Sequence, residues 1–166
     1  MSQAAHKAEA PRAVRAAVLT ISDTRTETTD TSGRAIVELL QGQGHAVVAR
    51  ALVPDAPAAV TAFVRSHLSG DTQVVITTGG TGITSRDSTF EAIDGLLEKR
   101  LDGFGELFRM LSYHDIGPAA MMSRACAGLA AGRIVIALPG SEAAVRLAMT
   151  RLVLPELTHL VQQASR

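Results

Sequence analysis

Short apolar runs alternate along the chain with stripes of apolar residues at helical spacing. Val14 to Ser22 is almost entirely Val, Ala, Leu and Ile, and its length suits a buried strand. The polar stretch Thr24 to Thr31 predicts a loop. Ser32 is placed to cap a helix running through Gln41, with Ala35, Ile36, Leu39 and Leu40 on one face and Gly42 and Gly44 ending it. His45 to Val53 predicts a second strand, stopped by Pro54-Asp55. Pro57 to Leu68 then repeats Val60, Phe63, Val64 and Leu68 at helical spacing. Val74 to Thr77 predicts a third strand, and Ser88-Thr89-Phe90-Glu91 has the capping-box pattern for a helix through Lys99. Gly103-Phe104-Gly105-Glu106 breaks that helix, leaving Leu107 to Leu111 as a short helix and Pro118 to Ala131 as a further helical stretch closed by Gly132. Ile134 to Leu138 is another buried strand. Ser141 caps a final amphipathic helix, which Pro155 bends.

Strands alternating with helices predict an α/β fold, a three-layer αβα sandwich around a mostly parallel sheet. Without an internal repeat or linker, 166 residues make one domain, residues 14–166, after a flexible tail over residues 1–13.

Composition narrows the function. Apolar residues make up 46% and aromatic residues only 3%, so Ala, Val, Leu and Ile must build the core. Sixteen basic residues balance 16 acidic ones, which argues against a polycationic face for nucleic acid. Cys126 is the single cysteine, so no intrachain disulfide forms and a reducing cytoplasm is the expected home. The five histidines are scattered without metal-ligand spacing, which disfavours zinc. No apolar run is long enough to span a bilayer, and the first residues lack the apolar region of a signal peptide.

The chemistry concentrates in Gln73-Val74-Val75-Ile76-Thr77-Thr78-Gly79-Gly80-Thr81-Gly82-Ile83-Thr84-Ser85-Arg86-Asp87. Glycines after a strand let the main chain approach a ligand, and amides of such a loop can face phosphate oxygens. Threonine hydroxyls add donors, and Asp87 could hold a divalent cation against those oxygens. The loop has no Gly-Lys-Ser/Thr ending, so it is not a P-loop, and its spacing does not fit G-x-G-x-x-G. Three more loops leave predicted strand ends, carrying Ser22-Asp23, Pro54-Asp55 and Pro139-Gly140-Ser141. In open α/β sheets ligands bind beyond those ends. Each member also has a plain structural alternative: Asp23 and Asp55 as turn residues, Asp87 and Ser141 as helix caps, and the glycines as a tight turn.

Taken in order, Ser22-Asp23-Thr24-Arg25, Thr78-Gly79-Gly80-Thr81-Gly82 with Arg86-Asp87, Gly103-Phe104-Gly105-Glu106, Ser123-Arg124 and Leu138-Pro139-Gly140-Ser141 form a specific combination. The chain resembles the MoaB/MogA molybdenum-cofactor biosynthesis proteins, which share the fold of the gephyrin G domain. Phe108 to Gly117 and Ser123-Arg124-Ala125 are similar to the MoaB branch. The resemblance implies a molybdopterin adenylyltransferase that joins AMP from Mg-ATP to molybdopterin and releases pyrophosphate. It implies Asp55 and Asp87 as the essential carboxylates, with Asp87 on Mg²⁺. Gly79, Gly80, Thr81 and Gly82, after Thr78, would cradle the phosphate and nucleotide. Ser22, Asp23, Pro139, Gly140 and Ser141 would line the rest of the site, and Ser112 and Arg124 would touch pterin or phosphate. It also implies a trimer or hexamer, with contact to other enzymes of the pathway. Phe90 stands where the family usually has proline. Two other readings stay open: a non-catalytic oligomeric module that binds molybdopterin or a partner, and a nucleotide or pyrophosphate hydrolase.

Overall fold

The computed structural model describes residue 4 and residues 10–166; most of the expected tail lies outside the described residues. Six strands form one sheet in the order β2-β1-β3-β6-β5-β4. Four of them are parallel: β1 (Arg15–Ile21), β2 (Ala46–Val53), β3 (Val74–Thr78) and β6 (Arg133–Leu138). Their registers align Ile21 with Val53, Thr20 with Thr78, and Thr78 with Leu138, so the carboxyl ends of all four come level at one edge.

Helices cover both faces. On one side α1 (Thr31–Gly42), α4 (Asp102–Ile116), α5 (Glu142–Ala148) and α6 (Leu154–Ala164) pack Ile36, Leu40, Phe108, Val145 and Leu157 against Val18, Ile76 and Ile136. On the other, α2 (Pro57–Ser66) and α3 (Thr89–Asp94) pack Val60, Val64 and Ile93 against Leu19, Val75 and Val135. Alternate residues of β1 and β3 thus serve opposite cores, as the pleat requires. The expected sandwich and its mostly parallel sheet are present.

The second half departs from the sequence reading. Cys126–Ala130, expected to be helical, is β5, antiparallel to β6. Alanine and glycine there carry no β preference of their own, and pairing with the apolar β6 overrides local propensity. A two-residue turn at Ala131-Gly132, both with positive φ (49° and 72°), closes the hairpin, so Gly132 ends a strand and not a helix. The helix expected through Lys99 stops at Asp94, and Lys99–Arg100 forms the short edge strand β4. Gly103 and Gly105, expected to break a helix, lie inside α4. Gly105 is needed for closeness: a Cβ there would meet Ala125 O at 2.9 Å and the Arg109 guanidinium at 2.7 Å. A 3₁₀ turn (Gly117–Met122) follows. Asp30, not Ser32, caps α1, its Oδ1 accepting from Gly33 N at 2.9 Å. Between α5 and α6 the chain makes a π-turn (Met149–Val153) ahead of Pro155, which has no N–H to continue the regular ladder.

Candidate functional site

Loops from all four parallel strands meet beyond the sheet in an open cleft of about 510 Å³. Ser22, Asp23, Asp55, Gly79, Gly80, Thr81, Gly82, Asp87, Pro139, Gly140 and Ser141, all expected site residues, line it. Thr78 stands beneath, fully buried, and its hydroxyl donates to Pro139 O at 2.7 Å, tying the glycine loop to the last loop. Ser112 does not line the cleft; it is buried within α4. Arg124 stands behind the glycine loop in a neighbouring cavity, not in the cleft.

The glycine loop has the shape its composition suggested. Gly79 (φ 106°) and Gly80 (φ 69°) occupy conformations that L side chains rarely adopt. A Cβ on Gly79 would overlap Ile21 O, while one on Gly80 would overlap Thr89 Oγ1 and lie 2.9 Å from Asp55 Oδ2. Gly79 N donates to Leu138 O (3.0 Å), and Gly80 O accepts from Thr89 N (3.1 Å), which pins the loop to β6 and α3. Arg124 braces it from behind, its N donating to Thr81 O (2.8 Å), Nε to Gly82 O (2.8 Å) and Nη2 to Asp87 O (3.1 Å). The same guanidinium pairs with Glu91 and lies 5.3 Å from the centre of the Phe90 ring. Arg124 is therefore a scaffold for the loop.

Each aspartate has its own environment. Asp87 Oδ2 accepts from Thr84 Oγ1 (2.6 Å) and Thr84 N (2.8 Å). The Thr84 hydroxyl, with help from the Thr84 and Gly82 amides and the Arg124 charge, holds its carboxyl below the usual range. Asp23 is held low first by the Asp55 N–H on Oδ1 (3.0 Å), then by a two-pronged bond from Arg86 (2.9 and 3.1 Å). Arg86 also donates to Asp55 O at 3.1 Å, so it clamps the first two loops together. Asp55 is buried, with Oδ1 accepting from Ser88 Oγ (2.7 Å) and Ser88 N (3.3 Å). Ser88 makes no cap bond to its own helix.

Arg25, Arg86, Met122 and Ser123 also line the cleft, although none was placed in it as a site residue. Arg86 had a signal, adjacency to Asp87 in the glycine-loop motif. Arg25 and Ser123 also stood in motifs of the combination, Ser22-Asp23-Thr24-Arg25 and Ser123-Arg124, whereas Met122 had no signal, since only the chain's return past the loop brings it there. Among the described residues no group of three or more His, Cys, Asp or Glu side chains gathers for a metal. Mg²⁺ does not need one, because it is commonly held by one or two carboxylates together with substrate phosphates and water. Asp87, ionised and on the cleft wall, fits that role.

A parallel sheet whose carboxyl edge carries a glycine loop between acidic loops defines an α/β ligand-binding protein with its site beyond the strand ends. The sequence matches, over residues 17–159, the family described as the probable molybdopterin binding domain, and the chain belongs to that family. It is 49% identical over 168 residues to the molybdenum cofactor biosynthesis protein B of Bacillus cereus, covering 100% of this chain and 99% of that protein. The Bacillus subtilis protein of the same name is also 49% identical, with 98% and 97% covered. A crystal structure of a molybdenum cofactor biosynthesis protein B superposes with a TM-score of 0.90 at 49% identity, covering 94% of this chain and 98% of that one. The tungsten cofactor synthesizing protein MoaB from Pyrococcus furiosus superposes with a TM-score of 0.84 at 37% identity, with 95% and 100% covered.

Proposed function

We propose that this protein acts in molybdenum cofactor biosynthesis and adenylylates molybdopterin with Mg-ATP. One observation carries the reading: Asp55 and Asp87 stand at successive points of the same glycine loop. Asp55 Oδ2 lies beside Gly80, and Asp87 Oδ2 lies 2.8 Å from where a Cβ on Gly82 would be. In the reaction a terminal phosphate oxygen of molybdopterin attacks the α-phosphorus of ATP. The new P–O bond forms, the bond to the β-phosphate oxygen breaks, and pyrophosphate leaves. The attacking oxygen is already ionised, so no strong base is needed, and the task is to bring polyanions together and stabilise added charge. Loop amides and the Thr81 hydroxyl would orient the phosphates, while Asp87 would hold Mg²⁺, whose charge offsets theirs. Asp55, anchored by Ser88, would keep the rim of the loop in place.

A binding-only module is the second reading. It is favoured by the Asp55–Ser88 bonds, which give Asp55 a structural task that does not depend on turnover. Purified protein supplied with Mg-ATP and molybdopterin should yield adenylylated molybdopterin and pyrophosphate, and Asp87→Asn should abolish the product without unfolding the domain. Binding of molybdopterin without product would establish the module. ATP consumption without molybdopterin would point to a hydrolase.

The same reading makes the protein a cytoplasmic homo-oligomer, a trimer or hexamer, in contact with other enzymes of the pathway. Exposed apolar side chains on and after α4 (Leu107, Met110, Tyr113, Ile116 and Met121) support assembly. Light scattering would give the state. None of the helices is long and apolar enough to cross a membrane, among the described residues.

A further inference from the structure

Three arginines stand in or beside the cleft, and two of them are occupied. Arg86 is forked onto Asp23, and Arg124 is paired with Glu91. Arg25 differs. It is half-buried on the cleft wall, and among the described residues no carboxylate pairs with it. Its Nη1 donates to a neutral partner, Ser32 Oγ, at 2.7 Å. Ser32 is fully buried in the first turn of α1 and passes its own hydroxyl hydrogen to Gly140 O at 2.6 Å, across 108 residues of sequence. The Arg25 backbone is fixed as well, its N donating to Ser22 Oγ at 3.0 Å.

We propose that Arg25 is the fixed cation of this cleft, receiving a phosphate oxygen of the ligand, and that Ser32 is the positioning residue that holds it there. The inference rests on the reading that the cleft takes phosphorylated ligands. A hydroxyl partner orients the guanidinium without neutralising it, and among the described residues nothing accepts from Nε or Nη2, so donors remain for a planar two-point contact with phosphate. Arg86 matters here too, because by occupying Asp23 it leaves that carboxylate no reason to capture Arg25. The loop lacks the lysine of a P-loop, and Arg25 would supply a permanent positive charge from a different strand end. The phosphate is either the nucleotide's or the pterin's.

Titration calorimetry with Mg-ATP, adenosine and molybdopterin on wild type, Arg25→Ala, Arg25→Lys, Ser32→Ala and the Arg25→Ala/Ser32→Ala pair tests this. Arg25→Ala should weaken the phosphate-bearing probe about ten- to a hundredfold, as expected for a charged hydrogen bond, and leave adenosine unchanged. Arg25→Lys, with the charge but not the fork, should recover part of the loss. Ser32→Ala should cost about three- to tenfold and add nothing once Arg25 is gone. A loss confined to Mg-ATP assigns the nucleotide phosphate, and one confined to molybdopterin assigns the pterin phosphate. If Arg25→Ala, melting as wild type does, binds both as tightly as wild type, the assignment of Arg25 falls while the functional reading stands. Additive losses in the pair overturn the role of Ser32. Wild type that binds neither phosphorylated probe overturns both this inference and the functional reading beneath it.

Discussion

Ser88 gives its hydroxyl to Asp55 at 2.7 Å, across 33 residues, and makes no cap bond to the helix it precedes. The residue that looks like an ordinary helix cap therefore serves as the anchor of a buried carboxylate. Ser88→Ala should destabilise the fold by about 1–2 kcal/mol, because the buried Asp55 Oδ1 keeps only the longer bond from Ser88 N. Urea unfolding measures the loss. The proposed adenylyl transfer should fall with it, whereas Ser88→Thr should retain the stability and whatever transfer wild type shows.

Two glycines give opposite expectations for the same substitution. Gly80→Ala combines positive φ with overlap on Thr89 and should cost about 1–3 kcal/mol or more, with loss of ligand binding. Gly103→Ala places a methyl group where no atom lies within 4 Å, inside a helix, and should stabilise by up to about 1 kcal/mol. Calorimetric melting of the two variants should show shifts of opposite sign.

His45 provides a pH dependence. It is buried, its Nδ1 accepts from Val14 N at 3.1 Å, and burial pushes its pKa below the ordinary 6.5. The unfolded chain therefore binds a proton more readily than the folded one, and stability rises with pH across this range. The contribution is complete above the unfolded value and is lost as pH falls from about 6.5 toward the lower folded value. Urea midpoints should drop through that interval. In His45→Asn, where a side-chain oxygen can accept from Val14 N and does not titrate, the drop should flatten.

Cys126 should be a slow thiol. Burial raises its pKa to about 11, leaving about one thiolate in ten thousand at neutral pH. Iodoacetamide should label it far more slowly than free cysteine, with a rate still climbing at pH values where free cysteine has levelled off. Fast labelling at pH 7 would contradict the burial.

The parallel strands were readable because their signals are local. Val14 to Ser22, Val74 to Thr77 and Ile134 to Leu138 are β-branched or apolar runs, and the parallel strands follow them closely. Cys126–Ala130 became a strand through pairing with β6, a contact that no window of alanines reveals. At the site, the glycine loop and three aspartates were visible as residue types suited to phosphate and metal. What they touch was not visible. Ser32 and Ser88 each carry a cap signature, yet their hydroxyls serve Gly140 and Asp55. Arg124, expected at the ligand, proved to be a brace behind the loop, since its bonds to Gly82 O and Asp87 O depend on how β5 returns past the loop.

The bond from Ser32 to Gly140 joins parts of the chain made at opposite ends of its synthesis. When β1, β2 and β3 have left the ribosome, the glycine loop and all three aspartates already exist, but the strand that pairs with β3 and the loop beyond it do not. A nascent chain at that stage has an exposed apolar β3 edge and no closed cleft. Ligand competence should therefore arrive as a single late event, when residues near 140 emerge and Ser32 closes onto Gly140.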